Sequence, residues 1–201
     1  MAHIGTALGA VAAILSVAFT GWATWLSAQV AQDQLDQSRE DNEKEERQQA
    51  ARVAYWTEQD ERVDANGIWG VTIHVMNRTP DPAKDAFMRF MVNEPSQDED
   101  GLLQARIPAG LPPCTEFVFK MSDQKGRIVE AFDGWLSESN RPLVGLRSLH
   151  FSDAEGRHWV RDSGGIERDR YGRMVGVPTG YFDITDGKRK AVETCEEYSG
   201  K

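Results

Sequence analysis

An uncharged N-terminal segment constrains this chain more than any other feature of its sequence. No Asp, Glu, Lys or Arg precedes Asp33, and the apolar stretch occupies residues 4–26. As an α-helix these 23 residues would be about 34 Å long, while the hydrocarbon core of a bilayer is about 30 Å thick. The sequence therefore predicts a short N-terminus at 1–3 followed by a transmembrane helix at 4–26.

Trp22 and Trp25 are expected to mark the membrane boundary of this helix, because amphipathic rings favour the headgroup region. Two alternatives stay open, a cleaved signal peptide and a buried helix of a soluble fold. A signal peptide would need a basic N-terminal region and a small-x-small cleavage site. The N-terminal region has only His3, and the nearest cleavage match, at 26–28, begins with a bulky leucine. A retained anchor is therefore the preferred prediction.

Basic residues close to the predicted span set its expected orientation. The N-terminal side has no Lys or Arg, whereas Arg39, Lys44 and Arg47 follow on the C-terminal side. This rule places the N-terminus outside the cell and the domain in the cytoplasm. In that compartment Cys114 and Cys195 are expected to be free thiols, whereas a disulfide between them would indicate the opposite topology.

Small residues recur every four positions in the predicted span, at Gly5, Gly9 and Ala13. Such a series lets two helix backbones approach closely, so it predicts a homodimer contact on this face. The same spacing also arises by chance in a span rich in Ala and Gly, which leaves a monomeric span as the alternative.

Residues 27–51 are predicted to form a charged helical stalk that continues the transmembrane helix. They contain no Pro or Gly, and no apolar side chain occurs between Asp36 and Gln49. A helix that is polar on every side is solvent-exposed, and without an apolar seam it cannot form a strong coiled coil. The chain has a net charge of −9 and no basic stripe, so no nucleic-acid partner is expected.

From residue 68 on, the pattern changes to a period of two, which predicts β-strands. Strands are expected at 71–76, 86–92, 103–107 and 115–120, with weaker candidates at 127–132 and 142–146. Residues 50–56 fit either the last helical turns or the first strand. About seven short strands predict a mainly β fold, an immunoglobulin-like β-sandwich over 52–168, although the Cys–Trp–Cys spacing of true immunoglobulin domains is absent.

The strongest local pattern predicts a β-hairpin at 149–161. Two apolar and aromatic runs flank a Ser-Asp-Ala-Glu-Gly turn that ends at Gly156, where a left-handed residue is expected. Leu149 and Phe151 on the first arm should face Trp159 on the second. Aromatic cross-strand pairs of this kind add about 0.2–1 kcal/mol each.

Two segments carry a resemblance to known proteins. The sequence VMNRTP at 75–80 resembles a strand that runs into an Asn-x-x-Pro turn, and FxDAxGxxWxR at 151–161 resembles a strand–turn–strand unit that closes a sheet. With this layout the chain is similar to a loose group of uncharacterised actinobacterial proteins with one N-terminal span, a charged helix and a small β domain. The resemblance implies that architecture and supplies no catalytic residues.

Candidate chemistry is sparse, and no catalytic residue, cofactor or structural metal site is predicted. Asp98, Glu99 and Asp100 could ligate calcium, but they lack the full twelve-residue loop spacing. His150 and His158 flank the hairpin and could lie across from each other, yet two imidazoles without a third ligand make a poor metal site. The Asp-Ser-Gly-Gly sequence at 162–165 matches part of the chymotrypsin-like nucleophile motif, without a matching histidine motif.

Residues 169–201 lose the periodicity and are predicted to be a flexible C-terminal tail. The expected function is that of a single-pass membrane protein, not an enzyme, whose β-sandwich is an interaction module for another protein. The alternative is a membrane-tethered sensor domain that binds a small ligand or calcium through the 94–101 loop. An enzyme of unrecognised type is the third hypothesis.

Overall fold

One long helix, α1 (Ala2–Ala50), forms the N-terminal part of the chain. The structure is a computed structural model that describes residues 2–59, 70–93, 101–132, 143–169, 178–192 and 195, with side chains in α1 from residue 16 on except residue 18. Within these ranges, no helix is both long enough and apolar enough to cross a bilayer. Trp22 and Trp25, the predicted boundary residues, are exposed on α1.

The predicted dimer face of Gly5, Gly9 and Ala13 lies outside the described side chains. The charged segment does continue α1 without a break, as the absence of Pro and Gly indicates. The helix ends at Ala50 and the first strand opens at Val53, which settles the ambiguity at 50–56. The chain divides into two units, Met1–Glu46 and Arg47–Lys201.

Ten strands, one short α-helix and a 3₁₀ helix at Met121–Gln124 follow α1 in the part of the chain that the structure describes. The strands and the α-helix are β1 (Val53–Gln59), β2 (Val71–Asn77), β3 (Lys84–Asn93), β4 (Gly101–Arg106), β5 (Thr115–Lys120), α2 (Lys125–Ala131), β6 (Leu143–Ser152), β7 (His158–Asp162), β8 (Gly165–Arg168), β9 (Gly180–Asp183) and β10 (Lys188–Ala191). A four-stranded sheet has the order β1-β2-β5-β10, and a six-stranded sheet has the order β8-β7-β6-β3-β4-β9. The described pairs are antiparallel except β4 with β9.

The two sheets form a β-sandwich, because the apolar side chains of both lie in one core. The largest fully buried side chains include Ile73 and Phe119 from the four-stranded sheet and Met88, Phe90 and Leu149 from the six-stranded sheet. This arrangement confirms the mainly β fold. The strands predicted at 71–76, 86–92, 103–107, 115–120 and 142–146 all fall on observed strands.

The weak strand prediction at 127–132 is wrong, since the segment belongs to α2. Two buried apolar side chains, Ile128 in the helix and Phe132 at its C-cap, are four residues apart. That spacing is one helical turn, whereas the alternation of a strand would have buried every second residue. The segment has only four apolar residues, at 128, 129, 131 and 132. They are too few to distinguish the period of 3.6 residues of a helix from the period of two of a strand.

The prediction of a flexible tail at 169–201 is also wrong for the residues described there. β9 pairs with β4 and buries Phe182, while β10 pairs with β5 although all four of its residues are exposed. Both partners lie about 70 or more residues earlier in the chain. β10 is held by backbone pairing with β5, and none of its side chains is buried. Its sequence therefore has no alternation of apolar and polar residues that would distinguish it from a solvent-exposed segment.

Asn77 organises the corner after β2. Its side chain is completely buried, and its Nδ2 donates to the carbonyl oxygens of Asp81 at 2.8 Å, Leu111 at 3.1 Å and Pro112 at 3.1 Å. Its Oδ1 accepts from the amide of Thr79 at 2.9 Å and from the Thr79 hydroxyl at 2.7 Å. One amide therefore satisfies polar groups of two separate loops, which explains the Asn in the VMNRTP segment.

The predicted hairpin is confirmed as β6 and β7, with Phe151 opposite Trp159 and Gly156 at a φ of 78°. Asp153 closes the turn by accepting from the Arg157 amide at 2.8 Å and from the Trp159 indole at 2.9 Å. Burial alone would raise the pKa of the Asp153 carboxyl, but hydrogen bonds from Trp159 and Arg157 outweigh it and hold the pKa below its usual range. Asp153 therefore stays ionised at neutral pH and keeps these bonds.

Candidate binding site

A cleft of about 650 Å³ opens on the β-sandwich beside β1. Apolar side chains form its floor, among them Ile73, Phe90, Met121 and Leu146. Pockets of 300–1,000 Å³ with an apolar interior and a few polar groups are typical of ligand sites. This cleft is therefore the candidate binding site of the domain.

The cleft runs along strand edges rather than across one face of a sheet. Three consecutive residues of β1, 55–57, line it, and so do three consecutive residues of β6, 144–146. Side chains of neighbouring strand residues point to opposite faces. Three in a row can border one cleft only if it extends along the backbone edge of each strand.

Both of these strand edges lack a strand partner in the described ranges. β1 pairs with β2 on one side, and it is the outer strand of its sheet. β6 pairs with β7 only over 149–152, so residues 144–146 are paired with β3 alone. Unpaired N–H and C=O groups of such edges are able to pair with another chain.

Polar groups at the rim of the cleft come from β1 and from the end of β7. The Nη2 of Arg161 donates to the carbonyl oxygen of Ala51 at 2.6 Å, whereas its Nε is buried without a hydrogen-bond partner among the described groups. Burial and the charge of Asp162 raise the pKa of the Tyr55 phenol, an effect that Arg161 partly offsets. Tyr55 is therefore a neutral hydrogen-bonding group at physiological pH.

Ser163 also lines the cleft, but its setting is that of a turn residue. It lies between β7 and β8, where the amide of Gly164 donates to Asp162 Oδ1 at 2.8 Å and Gly165 has a φ of 137°. The lining residues include no histidine to act as a general base. The Asp-Ser-Gly-Gly sequence thus has a local explanation in the β7–β8 turn.

The histidines of the sandwich lie in separate places. His74 stacks on Trp56 at 4.8 Å, and its Nδ1 lies 2.6 Å from Glu116 Oε1. His150 lies opposite Val160 rather than His158, so the two hairpin histidines are not cross-strand partners as sequence analysis allowed. Within the described ranges, no three His, Cys, Asp or Glu side chains come together as a metal site.

His150 gives the stability of the domain an expected pH dependence. Burial and the charge of Arg89 lower the pKa of the His150 imidazole from 6.5 to about 4. Since the unfolded chain binds the proton more readily, we expect the free energy of unfolding to fall as pH drops from 6.5 towards 4. His150→Gln should flatten the decline between pH 6.5 and 5, as measured by urea unfolding of the full-length chain.

The matched control for that measurement is His158→Gln, at an exposed position of the same hairpin. It should leave the wild-type decline between pH 6.5 and 5 in place. A His150→Gln profile that matches the wild type would show that this imidazole does not contribute.

The predicted calcium ligands Asp98, Glu99 and Asp100 lie outside the described residues. The expectation of two free thiols is wrong, because Cys114 and Cys195 form a disulfide with their Cα atoms 5.4 Å apart. Sequence analysis missed the cleft, since its lining residues come from six separate segments of the chain. The signal nearest to it was Arg161, the last residue of the strand–turn–strand pattern.

We compared the chain with models of protein families, with curated protein sequences and with solved structures, and none of them matched.

Proposed function

We propose that this chain is a membrane-tethered, non-catalytic protein whose immunoglobulin-like β-sandwich binds another protein through the cleft beside β1. The observation that carries the proposal is the combination of an apolar floor with two strand edges that have no strand partner among the described residues. The order β1-β2-β5 against β7-β6-β3-β4 supports the immunoglobulin-like assignment, since it parallels the two sheets of that fold. The edges β8, β9 and β10 would be additions to it.

The tether is proposed from the uncharged segment at 4–26 and from the composition of α1. Phe19 and Trp22 expose 81% and 71% of their surface, and apolar side chains exposed to this extent call for a covering environment. The hydroxyl groups of Thr20, Thr24 and Ser27 each donate to the carbonyl oxygen four residues earlier. Hydroxyls paired in this way are compatible with hydrocarbon surroundings.

The disulfide favours a domain outside the cytoplasm, which reverses the orientation expected from Arg39, Lys44 and Arg47. Cytoplasmic thiols are kept reduced, so a persistent Cys114–Cys195 bond requires an oxidising compartment. Three basic residues give only a modest bias to orientation. We therefore propose an N-terminus in the cytoplasm and a β-sandwich on the outer side.

Thr57→Trp is the variant that tests the cleft as an interface. Thr57 lines the cleft and is exposed on β1, so an indole there would fill space that a partner needs, and Trp is favourable in strands. We expect chemical cross-linking of the full-length chain in its native membrane to recover at least about fivefold less partner, as for other central interface residues.

Glu58→Trp is the matched control, because Glu58 is the adjacent exposed residue of the same strand and does not line the cleft. It should leave partner recovery at the wild-type level. Equal recovery with wild type and both variants would exclude the cleft as the interface.

A small amphipathic ligand is the second candidate for the same cleft. The volume of about 650 Å³ suits one, and Tyr55 and Arg161 supply polar groups among the lining residues. Native mass spectrometry of the detergent-purified chain would then show a bound small molecule that Thr57→Trp lacks. Finding none would leave the protein partner as the sole candidate for this cleft.

A further inference from the structure

We infer that the cleft receives a single extended segment of a partner polypeptide, which adds to β1 as a new strand. This inference rests on the proposed function and specifies its partner as a peptide strand with apolar side chains at alternate positions. Strand addition of this kind uses main-chain hydrogen bonds for affinity and pockets for alternate side chains.

The first argument is the shape of the cleft. It borders the backbone edge of β1 at 55–57 and that of β6 at 144–146. In the described ranges neither edge has a strand on that side. A cleft that is bounded by two strand edges and has an apolar floor fits a strand better than it fits a compact ligand.

The second argument is the contrast between the edge strands. β10 presents three basic residues and β8 presents Glu167 and Arg168, all of them exposed. β1 is seven residues long and has Glu58 as its only charged side chain. β9, the remaining edge strand, is only four residues long. Charged and short edges discourage pairing with other chains, so β1 is the edge left open to it.

The third argument excludes a second copy of the chain as the preferred occupant. The β1 strand of another copy is already part of a sheet, because it pairs with its own β2 over seven residues. A strand that adds to β1 must fit between β1 and β6 without a sheet of its own behind it. A lone extended segment meets this requirement.

The test uses a library of capped nine-residue peptides with Val, Ile, Leu or Phe at alternate positions and Ser, Thr or Lys between them. Binding to the full-length chain in detergent micelles is measured for wild type, Thr57→Trp and Glu58→Trp. The best binder is then synthesised with N-methyl groups on alternate residues, in two versions that block one peptide edge each. N-methylation removes the backbone donor, so it reports on main-chain pairing.

We expect Thr57→Trp to weaken the best peptide at least about tenfold, and one N-methylated version to lose a similar factor while the other binds normally. If both N-methylated versions bind normally but Thr57→Trp still abolishes binding, strand addition is overturned and the proposed function stands. If no peptide binds in a manner sensitive to Thr57→Trp, strand addition is also overturned, and membrane cross-linking decides the proposed function separately. A dimer of the chain that Thr57→Trp dissociates would identify a second copy as the occupant and overturn the inference.

Discussion

Asn77→Ala is expected to lower the free energy of unfolding by about 3–5 kcal/mol. The substitution removes five hydrogen bonds and leaves the Thr79 amide without its buried partner, while the carbonyl oxygen of Leu111 keeps only the Ala83 amide. Each buried polar group that loses its partner costs about 1–3 kcal/mol. Urea unfolding of the full-length chain, with an unchanged slope on denaturant concentration, would measure the loss.

Two further variants separate the hydrogen bonds from the volume of the side chain. Asn77→Asp keeps the size but turns an acceptor towards the carbonyl oxygens of Asp81, Leu111 and Pro112, so it should be at least as destabilising as alanine. Thr79→Val removes only the hydroxyl and should cost about 1–2 kcal/mol. A loss below about 1 kcal/mol for Asn77→Ala would contradict the role assigned to this corner.

Removal of the disulfide should have a comparable effect. Cys114 and Cys195 are 81 residues apart, and closing a loop of this length in the unfolded chain corresponds to about 4.5 kcal/mol by chain entropy. We expect Cys114→Ser, Cys195→Ser and the double variant to lose about 2–5 kcal/mol each. The double variant should lose no more than either single variant, because all three remove the same link.

The same bond offers a measurement in intact cells. A membrane-impermeant maleimide should fail to label the wild-type chain but should label Cys114→Ser at Cys195 without cell lysis. Labelling of the variant only after lysis would place the domain in the cytoplasm and remove the basis for the proposed orientation. Labelling of the wild type in intact cells would show free thiols.

Local patterns predicted the elements whose determinants are local. The hairpin at 149–161 combines Gly156, an alternating apolar pattern and a Trp, and all three act within thirteen residues. β2, β3 and β5 likewise show their period of two directly. The short helix α2 was misread because only Ile128 and Phe132 distinguish its period from that of a strand.

The cleft and the C-terminal strands were beyond such reasoning, because they depend on distant partners. Thr57 lines the cleft because the fold brings it near Ile73, Leu146 and Arg161. No pattern in the sequence indicates that these positions lie close together. β10 has a Lys-Arg-Lys-Ala sequence that favours solvent, and its place in the sheet comes from backbone pairing with β5. The Cys114–Cys195 bond could be listed as one alternative but could not be chosen.

The late strands also decide when this domain is able to fold. β9 pairs with β4 at the edge of one sheet, and β10 pairs with β5 at the edge of the other. Neither sheet can therefore form completely before residues 180–191 are available. Contacts between such distant positions form slowly because the intervening chain must first be closed into a loop. Until those residues are present, β4 and β5 have bare edges and Cys114 has no partner. A chain shortened by about twenty residues would therefore be an aggregation-prone species rather than a smaller version of the domain.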